Sequence, residues 1–129
     1  MEYKPIEVKY HHVISGRSQG GQITPSATLE VMVDGDLIRV SGEGRGPLHA
    51  IFNAINELQI YDGSKPYLMS FQLNAEKQGA DSSGTAVSRV VFGKKIYEGI
   101  GRSEDVVEAA MLSYVDAINQ RLMESRAQK

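Results

Sequence analysis

The chain has 129 residues, about one domain's worth on the usual scale, with 41% hydrophobic and 23% charged residues. That composition excludes a disordered or collagen-like chain, and no apolar run approaches the ~20 residues that span a bilayer. Net charge is −2, without the basic excess of nucleic-acid modules, and the absence of cysteine excludes disulfides, thiolate metal sites and cysteine nucleophiles.

Taken in chain order, Ile6, Val8, Tyr10, His12 and Ile14 alternate with polar residues and predict a half-buried strand. Leu29, Val31 and Val33 lead into Asp34-Gly35, a two-residue hairpin signal because both central positions favour positive φ. Pairing across that turn sets Val31 opposite Ile38 and Leu29 opposite Val40, so all four share a face. Gly46-Pro47 opens a helix, with proline at the first helical position, where its missing N–H costs nothing. Leu48, Ile51, Phe52, Ile55 and Leu58 form that helix's apolar stripe. Residues 59–66 read as a linker.

The same plan then recurs. Tyr67, Met69, Phe71 and Leu73 alternate as the first strand did, and Gly93-Lys94 makes a type II′ turn that sets Val90 opposite Tyr97. Ser103 is the expected cap of a second helix, whose stripe is Val107, Ala110, Met111, Tyr114, Val115, Ile118 and Leu122, with fraying from Ser125 to Lys129. Sliding the sequence over itself by 59 positions aligns residues 8–58 with 67–117 without a gap. Gln19-Gly20 meets Gln78-Gly79, and Ala27, Val31, Gly42 and Ala50 meet Ala86, Val90, Gly101 and Ala109. Two βββα copies, about 3–60 and 65–124, predict an α+β fold of antiparallel sheets, each covered by a helix. A single copy of this size is marginal alone, so the copies are expected to pair by pseudo-twofold symmetry as one domain.

Familiar chemistry is sparse. His11 and His12 are adjacent on a strand and point to opposite faces, His49 sits at a helix start, and no metal-ligand spacing occurs. No nucleophile elbow or carboxylate pair is visible, so no catalytic residue, metal or cofactor is expected on this chain. The N-terminus lacks a signal-peptide core, and a cytoplasmic address without membrane contact is the simplest expectation. RNA binding is disfavoured by the net charge and by the lack of an aromatic RNP-like strand.

The most informative stretch is Gly42-Glu43-Gly44-Arg45-Gly46-Pro47, which runs from a strand end through glycines into a helix N-terminus. Such a turn offers free N–H groups and a partial positive charge to an anion. Read alone, it is equally a turn that merely needs glycine. A looser glycine segment, residues 78–86, precedes the middle strand of the second copy.

Together these residues resemble the C-terminal regulatory domain of 2-isopropylmalate synthase, the LeuA allosteric or dimerisation domain. The resemblance runs from about Ile6 to Leu122. It rests on Pro25-Ser26-Ala27, the G-x-G-x-G-P-L stretch at 42–48, Ala54-Ile55-Asn56, Gly79-Ala80-Asp81, Gly99-Ile100-Gly101, and the helix through Tyr114-Val115-Asp116-Ala117-Ile118-Asn119. It implies a homodimer that binds the end-product amino acid near the interface and inhibits a distant TIM-barrel catalytic domain, which with its His-x-His motif is absent here. Related citramalate synthases carry a similar domain that senses isoleucine, so leucine is the first expected effector and isoleucine the second. A dimerisation module without a ligand is the contrasting expectation. His49-Ala50 departs from the Asp/Ala-Ala common after Gly-Pro in the family.

On this reading Gly44, Gly46, Pro47 and Leu48 bring backbone donors and an apolar side chain to the effector, with Ile51 and residues of the middle strand adding to the apolar wall. Ala80, Asp81 and Thr85 are expected to complete the site, with Asp81 or a strand-end carbonyl as acceptor for the ammonium. Their partners under the repeat are Gly21, Gln22 and Ser26, and a twofold arrangement would bring that connection toward the glycine turn.

Overall fold

The computed structural model describes residues 4–61, 63–78 and 81–127. Its elements are β1 (Ile6–Ser18), β2 (Gly21–Val33), β3 (Asp36–Glu43), α1 (Pro47–Asn56), β4 (Tyr67–Gln78), β5 (Asp81–Phe92), β6 (Lys95–Ser103) and α2 (Val106–Ala127). Strands β1–β2–β3 and β4–β5–β6 form two antiparallel sheets, and the chain divides into compact units at residues 1–60 and 61–129. α1 packs on β2 and β3, and α2 on β5 and β6. The α+β class and the doubled βββα plan are therefore as expected.

The turns follow from their residues. Asp34 (φ 50) and Gly35 (φ 93) both take positive φ, and the Asp34 N–H donates to Pro5 O at 3.1 Å. Gly93 (φ 63) takes the first place of the second turn. Pairing is as predicted: Val31 lies opposite Ile38, Leu29 opposite Val40 and Val90 opposite Tyr97. Leu29, Val31, Ile51 and Ile55 are fully buried between sheet and helix, each contributing roughly 1.5–3 kcal/mol.

The first strand of each unit departs from simple alternation. In β1 the register shifts between Val8 and Tyr10, and in β4 between Leu68 and Ser70. Each shift leaves one extra residue, Lys9 or Met69, and so exchanges the two faces of the strand. Val8 faces α1, but beyond the bulge His11 and Val13 take that face, paired with Leu29 and Ala27. Tyr10, His12 and Ile14, expected beside Val8, point outward and are exposed. In β4 Leu68 pairs with buried Val90 and Phe71 with buried Ser88, whereas Tyr67 and Met69 are exposed. Bulges are common on edge strands, where they re-aim side chains and interrupt pairing.

Glycine sets the distance between helix and sheet. A Cβ on Gly42 would overlap Ala54 N and Ala50 O, and one on Gly44 would overlap Ala50 N. In the second unit a Cβ on Gly99 would overlap Ser113 O and Ala117 N, and one on Gly101 would overlap Ala109 O and Ser113 N. Each helix therefore lies backbone to backbone on its last strand. Opposite the glycines stand Ala50, Ala54, Ala109 and Ala117, all fully buried. Ser113 Oγ bonds Ser88 Oγ at 2.6 Å and donates to Ala110 O at 2.7 Å, so these buried hydroxyls are satisfied.

Two helix ends differ from expectation. α2 begins at Val106, and its cap is Asp105, whose Oδ1 accepts the Val107 N–H at 2.9 Å. Ser103 ends β6; its Oγ accepts the Asp105 N–H at 3.1 Å and donates to Glu108 at 2.5 Å. The predicted cap is thus two residues early, because Ser103 supports the turn rather than the helix. At the other end α2 stays helical to Ala127, past the expected fraying at Ser125. There Glu124 bonds back to β6, accepting from Lys95 Nζ at 2.6 Å and Tyr97 Oη at 3.0 Å.

Gly101→Ala drives a methyl into the α2 backbone, so chemical denaturation is expected to show a loss of about 1–3 kcal/mol or more; an unchanged midpoint would show that the helix yields freely. The hydrogen bond from Lys95, and then that from Tyr97, holds the Glu124 carboxyl below its ordinary value, and the same bond with Glu124 holds the Lys95 ammonium above its own. The lowered carboxyl adds stability that is lost as pH falls through its folded pKa, and the raised lysine adds stability that is lost as pH rises through its own. Thermal melts should find the wild-type lead over Glu124→Gln flat from about pH 6 to 9 and smaller on both sides. Because the pair is exposed the lead is small, and a difference independent of pH would show the pair to be idle.

Candidate functional site

The glycine turn of the first unit is pinned at three points. The Gly44 N–H donates to Pro25 O at 3.1 Å, the Arg45 N–H to His49 Nδ1 at 3.0 Å, and Asn53 Nδ2 to Glu43 O at 2.7 Å. His49, exposed on the first helical turn, thus reaches back to the chain ahead of the cap, as a glutamate does in a capping box. Gly46 is the N-cap, extended at φ −154 and ψ 174, and contributes no side-chain bond. The first intrahelical bond is Ala50 N–H to Gly46 O at 3.0 Å. Pro47 has no N–H, while Leu48 and His49 have N–H groups with no carbonyl one turn behind them.

The glycines of this turn do different jobs. Gly42 and Gly44 are required by the close approach of α1, so their spacing is explained by packing. Gly46 is not, because a Cβ there meets nothing within 4 Å. At the corresponding position of the second unit, 59 residues on, stands Asp105. Its carboxylate bonds the N–H of Val107, the counterpart of Leu48. One helix start therefore carries its own carboxylate cap, and the other presents donors and the positive end of its dipole without one.

A second local feature distinguishes the first unit. Pairing jumps from Ile14–Ser26 to Gly16–Ile23, so Thr24 and Pro25 on β2 oppose the single residue Ser15 on β1. Proline inside a strand is tolerated at such a bulge because no ladder N–H is demanded of it. β5 has no matching jump. Consequently the copies are spaced by 60 residues along β1 and β4 and from Gly21 to Asp81, but by 59 from Ser26 to Thr85 onward, so the alignment expected without a gap needs one at this bulge, and Asp81 corresponds to Gly21 rather than to Gln22. An open depression of about 400 Å³ lies here, lined by Ile23, Thr24, Pro25, Gly44 and Arg45.

The sequence-predicted residues divide between the units. Gly44, Gly46, Pro47 and Leu48 stand together at the start of α1, with Leu48 half-buried. Ile51 is fully buried and presents no surface, so it is not a wall for a ligand in this conformation; it faces the core from the second turn of the helix. Ile23, exposed beside the turn, supplies apolar surface that sequence reasoning missed, and the proline two residues later is the signal for the bulge that places it. Ala80 lies outside the described residues. Asp81 opens β5 opposite Gln78, and Thr85 is half-buried in β5 opposite Asn74 and Arg102. Among the described residues no group of three or more His, Asp or Glu could hold a metal ion, and no helix is long and apolar enough to cross a membrane. Tyr61, whose phenol is pushed above its ordinary value by burial and then by Tyr114, packs on Phe92 at 6.4 Å in the second unit.

Residues 1–122 match the LeuA allosteric (dimerisation) domain. The chain belongs to that family. It is 34% identical over 119 residues to the 2-isopropylmalate synthase of Carboxydothermus hydrogenoformans, a match covering 92% of this chain and 22% of the relative. The same enzyme of Solidesulfovibrio magneticus is 33% identical over 99 residues, covering 77% of this chain and 19% of the relative. That of Aromatoleum aromaticum is 32% identical over 118 residues, covering 92% and 21%. The chain thus spans about a fifth of the length of the curated relatives it matches.

His49→Ala leaves the Arg45 N–H without its acceptor, and urea denaturation is expected to register a loss of about 0.5–1.5 kcal/mol. Unchanged stability would mean that water replaces the imidazole at no cost.

Proposed function

We infer that this chain is the end-product sensor of a 2-isopropylmalate synthase, binding leucine as a homodimer and relaying feedback inhibition to a TIM-barrel catalytic domain. In that parent enzyme the barrel transfers acetyl from acetyl-CoA to a 2-keto acid. Family membership over residues 1–122 carries the reading. The open start of α1 supports it with a place for the ligand carboxylate, where Asp105 puts a carboxylate in the other unit. Leu48 and Ile23 offer apolar surface for a branched tail, and Asp81 is the acceptor proposed for the ammonium. Isoleucine, the effector expected of a citramalate synthase domain, fits the same chemistry and ranks second.

A dimerisation module without ligand is the competing reading. It is favoured by the packing duty of Gly42 and Gly44, which accounts for much of the glycine pattern. Calorimetry of the folded chain against the twenty amino acids separates the two, since the sensor binds leucine or isoleucine and the bare module binds none. Gly46→Asp is the sharper probe. By analogy with Asp105 it is expected to leave the fold intact, because aspartate is a favoured N-cap, while its carboxylate occupies the donors the ligand needs. Leucine affinity should then fall at least about tenfold, or ~1.4 kcal/mol. Asp81→Ala should remove the ammonium acceptor with a comparable loss. Wild-type affinity in a folded Gly46→Asp protein would place the ligand elsewhere.

A further inference from the structure

The sheet of the second unit has one face under α2 and one face bare. Register places three rows of residues across the bare face, each from β4 through β5 to β6: Tyr67–Val91–Ile96, Ser70–Arg89–Glu98 and Gln72–Val87–Ile100. Tyr67, Ile96 and Ile100 are 70%, 55% and 50% exposed, large values for side chains of this size and type. Between the apolar rows Arg89 Nε meets Glu98 Oε2 at 3.1 Å, and a depression of about 480 Å³ is lined by Ser70, Gln72, Val87 and this ion pair.

The pattern matches itself. A twofold axis running along the strands between β5 and β6, in the plane of contact, lays β5 of one copy on β6 of another. Val91 then meets the partner's Ile96, Val87 meets the partner's Ile100, and Arg89 meets the partner's Glu98. Every row finds a complementary row, which is the requirement of an isologous contact. The first unit's corresponding rows, Glu7–Met32–Leu37, Tyr10–Glu30–Arg39 and His12–Thr28–Ser41, would match under the same axis, but the third is polar throughout, so that face offers one apolar row where the second unit offers two.

We propose that the bare face of β4–β6 is a twofold interface with a second copy of this chain, built on Val87, Val91, Ile96 and Ile100 around the Arg89–Glu98 pair. The proposal rests on the dimerisation half of the functional reading and names the surface that performs it. The overlap is two strands, β5 and β6, about nine residues long and so roughly 10 by 30 Å, and two copies bury on the order of 600 Å². That lies below the usual range of specific contacts and implies a weak, rapidly reversible dimer.

Sedimentation velocity of the full chain from 1 to 200 μM (concentrations chosen to bracket a reversible dimer) tests this. Ile96→Asp, on a side chain already exposed in the single chain, is expected to weaken self-association at least tenfold. Leu37→Asp, its equally exposed counterpart in the first unit, is expected to leave self-association unchanged. Arg89→Glu and Glu98→Arg should each self-associate poorly yet pair when mixed, because opposite charges then face across the axis. Should either single variant fail to fold, the double swap preserves the ion pair within each chain, and it should dimerise alone but avoid the wild type. Wild-type association by Ile96→Asp, or free mixing of the double swap with wild type, would overturn this interface while leaving dimerisation itself intact. A wild-type chain monomeric at 200 μM would overturn both, whereas leucine binding is judged separately by calorimetry.

Discussion

The rest of the molecule depends on how closely each helix lies on the last strand of its sheet. That approach brings the α1 backbone onto β3 at Gly42 and Gly44, and the α2 backbone onto β6 at Gly99 and Gly101. No side chain larger than hydrogen fits at those positions without moving a helix. The strand must then hand over to the helix within a few residues, which fixes the turns at 44–46 and 103–105 directly above the packed pair. A motif that looks like a ligand loop in sequence is therefore first a packing device, and any binding role is added to one that the fold already requires.

What the two units do with that shared frame differs. The second closes its helix start with Asp105, Ser103 and Glu108, and buries a hydroxyl pair, Ser88 and Ser113, where the first has Leu29 and Ala54. The first leaves its cap position as Gly46 and spends an extra residue on a bulge at Thr24-Pro25, beside the same turn. A helix dipole with an unfilled cap is compensated by water or by an anion, and only the first unit keeps that choice open. Duplication of a βββα unit thus allows one copy to be self-sufficient while the other is available to a small anionic group. The bare sheet faces also differ, the second unit having Val87 and Ile100 where the first has Thr28 and Ser41.

Turns and helices were legible because their signals are local. Asp34-Gly35 demands positive φ at two neighbouring positions, and Pro47 marks the first helical residue whatever surrounds it. The bulges at Lys9 and Met69 were not legible, since an extra residue in a strand is defined only against the partner it fails to pair with. Missing them placed Tyr10, Ile14 and Tyr67 in the core when they face outward. The cap of α2 was misplaced for a related reason: Ser103 and Asp105 both have capping side chains, and only the point at which β6 ends decides between them. At the candidate site, Gly44, Gly46, Pro47 and Leu48 were readable as a helix entrance. The depression at Ile23 was not, because it arises from a register jump that Pro25 only hints at.

If the open start of α1 receives the carboxylate of an amino acid, its free amides must respond to the ligand. Backbone amide resonances of the ¹⁵N-labelled chain, followed through a leucine titration, report that response residue by residue. Saturable downfield shifts are expected at Leu48 and His49, the two amides without an intrahelical acceptor, with no comparable change at Val107, whose N–H is already held by Asp105. Shifts confined to residues away from 44–49, or none with any branched-chain amino acid, would contradict it.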